Sequence, residues 1–186
     1  MTGEEAVLLL VDSLNKFEVD YMVVGSFSTN AYGIARATKD ADFVVQTTEE
    51  KRARLTESLP EAFIIDQQVT FETVTGHRRQ IIKIPSIPFV IELFDLSDEP
   101  YDKERFARRT RSKLVELDVW LPTPEDVVVQ KLRWAARAKR PKDLQDACDV
   151  IKVQGPKLDW PYIEEWCGKL GASGVLSEAR NLAGEP

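Results

Sequence analysis

The sequence predicts an α+β protein, a mixed β-sheet flanked by helices and followed by a helical C-terminal part. Three observations predict it. Short apolar, β-prone runs alternate with helix-period segments at the front of the chain, β-rich runs cluster between Phe63 and Leu96, and everything beyond Pro122 carries helical spacing. The expected division is a core over 1–121 and a helical part over 122–186, packed on the core as one unit.

Taken in order, Glu4 to Phe17 places Ala6, Leu9, Leu10, Leu14 and Phe17 at helical spacing. Tyr21 to Val24 is a short apolar strand that Gly25 ends in a turn, and Ser26 to Tyr32 forms a helix that Gly33 can close. Asp42 to Val45 reads as a strand, and Thr48 to Leu59 as a charged helix with a threonine cap and Pro60 beyond it. Phe63–Ile65, Val69–Val74, Gln80–Ile84 and Phe89–Leu96 are β-rich and extend the sheet as hairpins; His77 lies in a hairpin turn. Asp98 to Arg109 is helical, Leu114 to Leu121 a strand, and Thr123-Pro124 caps and opens a helix from Glu125 to Arg140. Helices over 142–153, 160–170 and 173–182 complete the chain.

At 186 residues, with 43% hydrophobic and 30% charged residues, the chain is an ordinary globular sequence. Its first residues are acidic rather than basic and apolar, and no run approaches membrane-spanning length, so the expectation is a cytoplasmic protein with no membrane association. Cys148 and Cys167 have neither a disulfide pattern nor zinc-ligand spacing and are expected as buried free thiols. A net charge of −6 argues against a protein built around non-specific nucleic-acid binding.

Chemistry concentrates in Tyr21 to Val45, YMVVGSFSTNAYGIARATKDADFVV. Side chains two apart in a strand share a face, so Asp40 and Asp42 project together. Such carboxylates repel unless a cation lies between them, and magnesium takes hard oxygen ligands and completes its shell with phosphates. Gly25 admits close backbone approach, Ser26 offers a hydroxyl and an N–H, and the following helix points its positive end at the same place. The pattern thus suits a metal-bound nucleoside triphosphate, with magnesium or manganese as the cation.

These residues resemble the signature of the polymerase-β-like nucleotidyltransferase superfamily, in which Gly-Ser precedes Asp-x-Asp by a short helix. With Tyr32-Gly33, the run from Arg36 through Thr38, Asp40 and Asp42, Pro124-Glu125-Asp126 and Lys131-Leu132, the likeness narrows to bacterial nucleotidyltransferases of the abortive-infection and toxin–antitoxin type, over about Tyr21 to Val150. The resemblance implies a nucleotidyltransferase fold and transfer of a nucleoside monophosphate from an NTP to a hydroxyl acceptor with release of pyrophosphate.

It also implies a third carboxylate on a neighbouring strand. Glu92, embedded among Val90, Ile91, Leu93 and Phe94, is the candidate metal ligand and general base; Asp95 is the alternative, with a ready turn or capping role. The family more usually carries aspartate here. Arg36 and Lys39 are candidate phosphate contacts, Thr38 a candidate to orient a carboxylate, and the resemblance places Lys131 near the triphosphate. The remaining basic residues near it, Arg133, Arg137, Lys139, Arg140 and Lys142, read as a solvated helix face that a tRNA acceptor could use.

The leading reading is therefore a metal-dependent nucleotidyltransferase acting on a protein, an RNA or a small molecule. The alternative is a non-catalytic nucleotide-binding or toxin–antitoxin module that works by docking to a partner protein. A third is an enzyme of the aminoglycoside-modifying kind, for which Asp98, Glu99, Asp102 and Glu104 would line an acceptor pocket.

Overall fold

The computed structural model describes residues 1–66, 70–71, 78–114 and 117–184. The chain divides into two compact units, one comprising 1–27 and 37–121, the other 28–36 and 122–186. His77 and most of the predicted strand from Val69 to Val74 lie outside the described residues.

The first unit is built on a mixed sheet. Strand β1 (Asp20–Val24) pairs antiparallel with β2 (Asp40–Gln46), and β2 pairs parallel with β6 (Phe89–Asp95). β6 pairs antiparallel with β5 (Arg78–Ile84), whose other edge receives β3 (Ile64–Ile65) and β4 (Thr70–Phe71). The parallel pair forms because α3 (Glu49–Ser58) and the strands β3 to β5 intervene between β2 and β6, long enough for a crossover.

The two sheet faces differ. Tyr21, Val23, Phe43, Val45, Ile91 and Leu93 alternate onto one face and are buried to within a few per cent. Helix α1 (Gly3–Lys16) contributes Ala6, Leu10 and Leu14 to the buried set, held at its start by a capping box of Thr2 and Glu5. Its first residue must be small, since a Cβ on Gly3 would come 2.6 Å from the Phe89 ring. On the opposite face, Met22, Val44 and Phe106 of α4 (Pro100–Ala107) pack together with Val24 and Phe94. That face is apolar at one end and carries Asp40, Asp42 and Glu92 at the other.

One strand lies where the sequence predicted no element. Thr110 to Lys113, between the helix predicted to end at Arg109 and the strand predicted from Leu114, belong to β7 (Thr110–Leu114), which pairs with β8 (Leu117–Leu121) as a separate two-stranded sheet. β7 was illegible because Thr110-Arg111-Ser112-Lys113 has no apolar member to mark a period of two; its pairing with Val119 to Leu121 makes it a strand.

The second unit is helical. α5 (Pro124–Ala138), capped by Thr123, packs against α6 (Pro141–Gln154) and α7 (Trp160–Lys169), and α6 packs against α8 (Ser173–Ala183). A 3-10 turn at Gly155–Lys157 follows α6, and Gly155 caps that helix at φ +43. Arg133, expected on a solvated face, is only 1% exposed; it stands one helical turn beyond buried Val129, on the inward side of α5. Cys148 and Cys167 are free and buried, as expected, and burial pushes the Cys167 thiol up to about 12. Among the described residues no helix is long and apolar enough to cross a membrane.

Candidate active site

The chain passes from β1 into α2 (Gly25–Tyr32) with no intervening turn, so the predicted Gly-Ser turn is itself the helix start. Gly25 makes this possible with φ +63, a conformation that costs other residues about 1–2 kcal/mol. It is constrained a second way. Val24 lies opposite Asp42 in the β1–β2 ladder, and a Cβ on Gly25 would fall 1.9 Å from Asp42 Oδ2. Glycine is thus the residue that lets the Asp42 carboxylate lie against the first turn of α2, where Ser26 is buried.

Asp40 and Asp42 share a face of β2 at its N-terminal end and are both half-buried. The Thr38 hydroxyl donates to Asp40 Oδ1 at 2.5 Å and fixes that carboxylate from within the same segment. Lys39, between them, is exposed and contributes its carbonyl, which accepts the Val90 N–H at 3.1 Å and starts the β2–β6 pairing.

The register separates the two candidates for a third carboxylate. Glu92 is directly opposite Asp42 across the parallel pair, so both project from one face; Asp95 lies opposite Val45, on the other. Asp95 is taken up by Arg52 of α3, only 8% exposed, and by Arg78 at 3.8 Å. Glu92 receives Arg79 Nη1 at 3.3 Å on each of its oxygens.

In the second unit, Arg36 donates from Nε and Nη2 to Asp146 at 3.3 and 3.1 Å, and its backbone is tied at both ends to the Asn30 side chain. Lys131 Nζ stands 2.8 Å from Asp146 and 3.0 Å from Asp143. Burial opposes the charge on Asp146, but hydrogen bonds from Arg36 and Lys131 outweigh it and hold the carboxyl below its ordinary value.

Comparison with known proteins decides the family. The family described as nucleotidyl transferase AbiEii toxin, type IV TA system, matches residues 9–169. The chain belongs to the AbiEii nucleotidyl transferase toxin family. Solved structures similar to this AbiEii-family chain include an antigenic nucleotidyltransferase-like protein from Paracoccidioides brasiliensis, 21% identical with TM-score 0.59, covering 94% of this chain and 90% of that one. The antibiotic-resistance factor ANT(2'')-Ia is 9% identical with TM-score 0.60, covering 95% of each chain. JHP933 from Helicobacter pylori is 13% identical with TM-score 0.56, covering 97% of this chain and 78% of that one. No curated protein matches. The chain is a nucleotidyltransferase with the mixed-sheet fold of that class.

Within this AbiEii-family chain, Gly25, Ser26, Lys39, Asp40, Asp42 and Glu92 fall in the first unit, Arg36 and Lys131 in the second. Sequence reasoning missed Asp146, which joins Arg36 to Lys131, and Arg79, which pairs with Glu92. A signal for the first existed: Asp143 and Asp146 are three apart on α6, one helix after Lys131. For Arg79 there was none, because its partner depends on the β5–β6 register. The donor chemistry of Asp40 and Asp42, hard oxygens two apart on one strand face beside a helix N-terminus, fits magnesium or manganese with an NTP. Among the described residues no three His, Cys, Asp or Glu side chains are gathered closely enough to hold a metal ion, so Glu92 is not joined to that pair in this arrangement.

Proposed function

We propose that the protein transfers a nucleoside monophosphate from an NTP to a hydroxyl acceptor and releases pyrophosphate, with Asp40 and Asp42 as ligands of a divalent cation. The observation that carries this reading is the coincidence of Asp40, Asp42 and Glu92 on one sheet face with Gly25, whose missing side chain leaves room for the Asp42 carboxylate. Bound there, the cation would neutralise phosphate charge and that of the departing pyrophosphate.

Gly25 and Ser26 are proposed to receive the phosphates, since the N–H groups at the start of α2 and the Ser26 hydroxyl are donors for anionic oxygens. Glu92 is proposed as the base that takes the acceptor hydroxyl's proton, and as a third carboxylate for the cation. Arg36, Lys39 and Lys131 are proposed to act on the triphosphate. Arg36 and Lys131 are held by Asp146, which fixes their head groups and leaves Lys131, with three N–H donors, capacity for another oxygen.

The acceptor is proposed to be macromolecular, a protein or a tRNA, with a cognate antitoxin protein as partner, on the strength of the family's toxin–antitoxin description. A small-molecule acceptor is the second reading, favoured by the likeness to ANT(2'')-Ia, one structure of which is a complex with adenylyl-2''-tobramycin. The acidic residues considered for such a pocket do not support it: Asp102 is 1% exposed and accepts the Ser97 hydroxyl, and Asp98 is fully exposed. NTP use and free cysteines support a cytoplasmic location.

Calorimetric titration of ATP, GTP, CTP and UTP, with and without magnesium, tests the site. Magnesium-dependent binding of an NTP that disappears in the Asp40→Asn/Asp42→Asn protein is the expected result. Binding that survives the double substitution would sink the assignment.

A further inference from the structure

The cations around the sheet are nearly all committed to structural partners. Arg52 and Arg78 hold Asp95, Arg78 also reaches Glu49, and Lys83 pairs with Asp66. Arg79 differs in what it holds. Its register partner is Phe94, and the β5–β6 ladder sets Ile81 opposite Glu92, so Arg79 lies diagonally across from Glu92 on the face that carries Asp42. Its Nη1 binds both Glu92 oxygens at 3.3 Å while its Nε donates to the Thr70 hydroxyl at 3.2 Å. The pair is not sealed off: the Arg79 side chain is 28% exposed and that of Glu92 23%.

We propose that Arg79 is a positioning residue that withholds Glu92 from the carboxylate set until a nucleoside triphosphate arrives. This rests on the reading of Asp40, Asp42 and Glu92 given above. Arg79 balances the charge of Glu92 and so offsets the repulsion among three carboxylates on one sheet face. The protein then offers a cation only Asp40 and Asp42. A triphosphate brings anionic oxygens that compete for the guanidinium, for which phosphate is as good a fork-shaped partner as carboxylate. Drawn to the phosphates, Arg79 releases Glu92, and the third carboxylate becomes available only when there is a nucleotide to act on.

The test uses manganese alone as the probe, with free Mn2+ measured by electron paramagnetic resonance and no acceptor needed. Wild-type protein should bind through Asp40 and Asp42. Arg79→Ala and the bulkier Arg79→Gln should bind about tenfold more tightly, because a third charged oxygen joins the ligand set. That gain should vanish in Arg79→Ala/Glu92→Gln. An Arg79→Ala protein that melts normally yet binds Mn2+ as wild type does overturns the inference, and so does a gain that persists without the Glu92 carboxylate, which would make Arg79 a source of field only. If wild-type binding is absent, or indifferent to Asp40→Asn/Asp42→Asn, the metal reading itself falls and this inference falls with it.

Discussion

Gly25 is the residue on which the site's geometry turns. Alanine there must accept φ +63 and also displace Asp42 Oδ2, so a stability loss on the order of 1–2 kcal/mol should accompany a much larger loss of NTP binding. Thermal melting and calorimetry on Gly25→Ala check the two effects separately; a variant that melts lower yet binds NTP normally would show that Asp42 is not held where binding needs it. Asp95 and Glu92 give the complementary contrast. Asp95→Asn strips Arg52, a buried cation, of its carboxylate and should cost about 3 kcal/mol of stability while leaving NTP binding intact. Glu92→Gln should melt near wild type and lose turnover, measured as pyrophosphate release once an acceptor is known.

At the scale of elements, α5 and α6 are tied by side chains as well as by packing. Lys131 of α5 reaches Asp143 and Asp146 of α6, and Arg36, from the loop after α2, reaches the same Asp146. Because its folded-state pKa is depressed, Asp146 is stabilising when ionised. That contribution is complete above the ordinary aspartate value of 3.8 and disappears as the pH falls through the lower, folded value. Melting curves of wild type and Asp146→Asn should therefore differ most near neutral pH, by on the order of 3 kcal/mol, and converge in acid. A gap that stays constant down to strongly acid pH would mean that Asp146 contributes through packing rather than charge.

For the whole molecule, the thiols report on global opening. Cys148 and Cys167 are buried and burial raises both, Cys167 to about 12, so neither should react with a thiol reagent at pH 8 in the native state. Both should react at the rate of unfolding when urea is added; rapid native-state labelling would show local opening of α6 or α7 instead.

The sequence by itself determined most of the element order, because period-2 and period-3.6 patterns, caps such as Thr48 and Thr123, and punctuation by Gly and Pro are local and survive without knowledge of the fold. It also determined the Gly-Ser and Asp-x-Asp pairing, since strand alternation alone puts Asp40 and Asp42 together and the spacing matches that of a known family. Other features awaited the tertiary structure. The polar strand β7 needed its partner β8 to exist, and the placement of Glu92 opposite Asp42, with Asp95 on the other face, needed the parallel register. The ion pairs of Arg79 with Glu92 and of Arg36 and Lys131 with Asp146 join residues from different elements. Such partnerships are fixed by long-range pairing and packing, and no local pattern of charge or hydropathy encodes which carboxylate a given cation will meet.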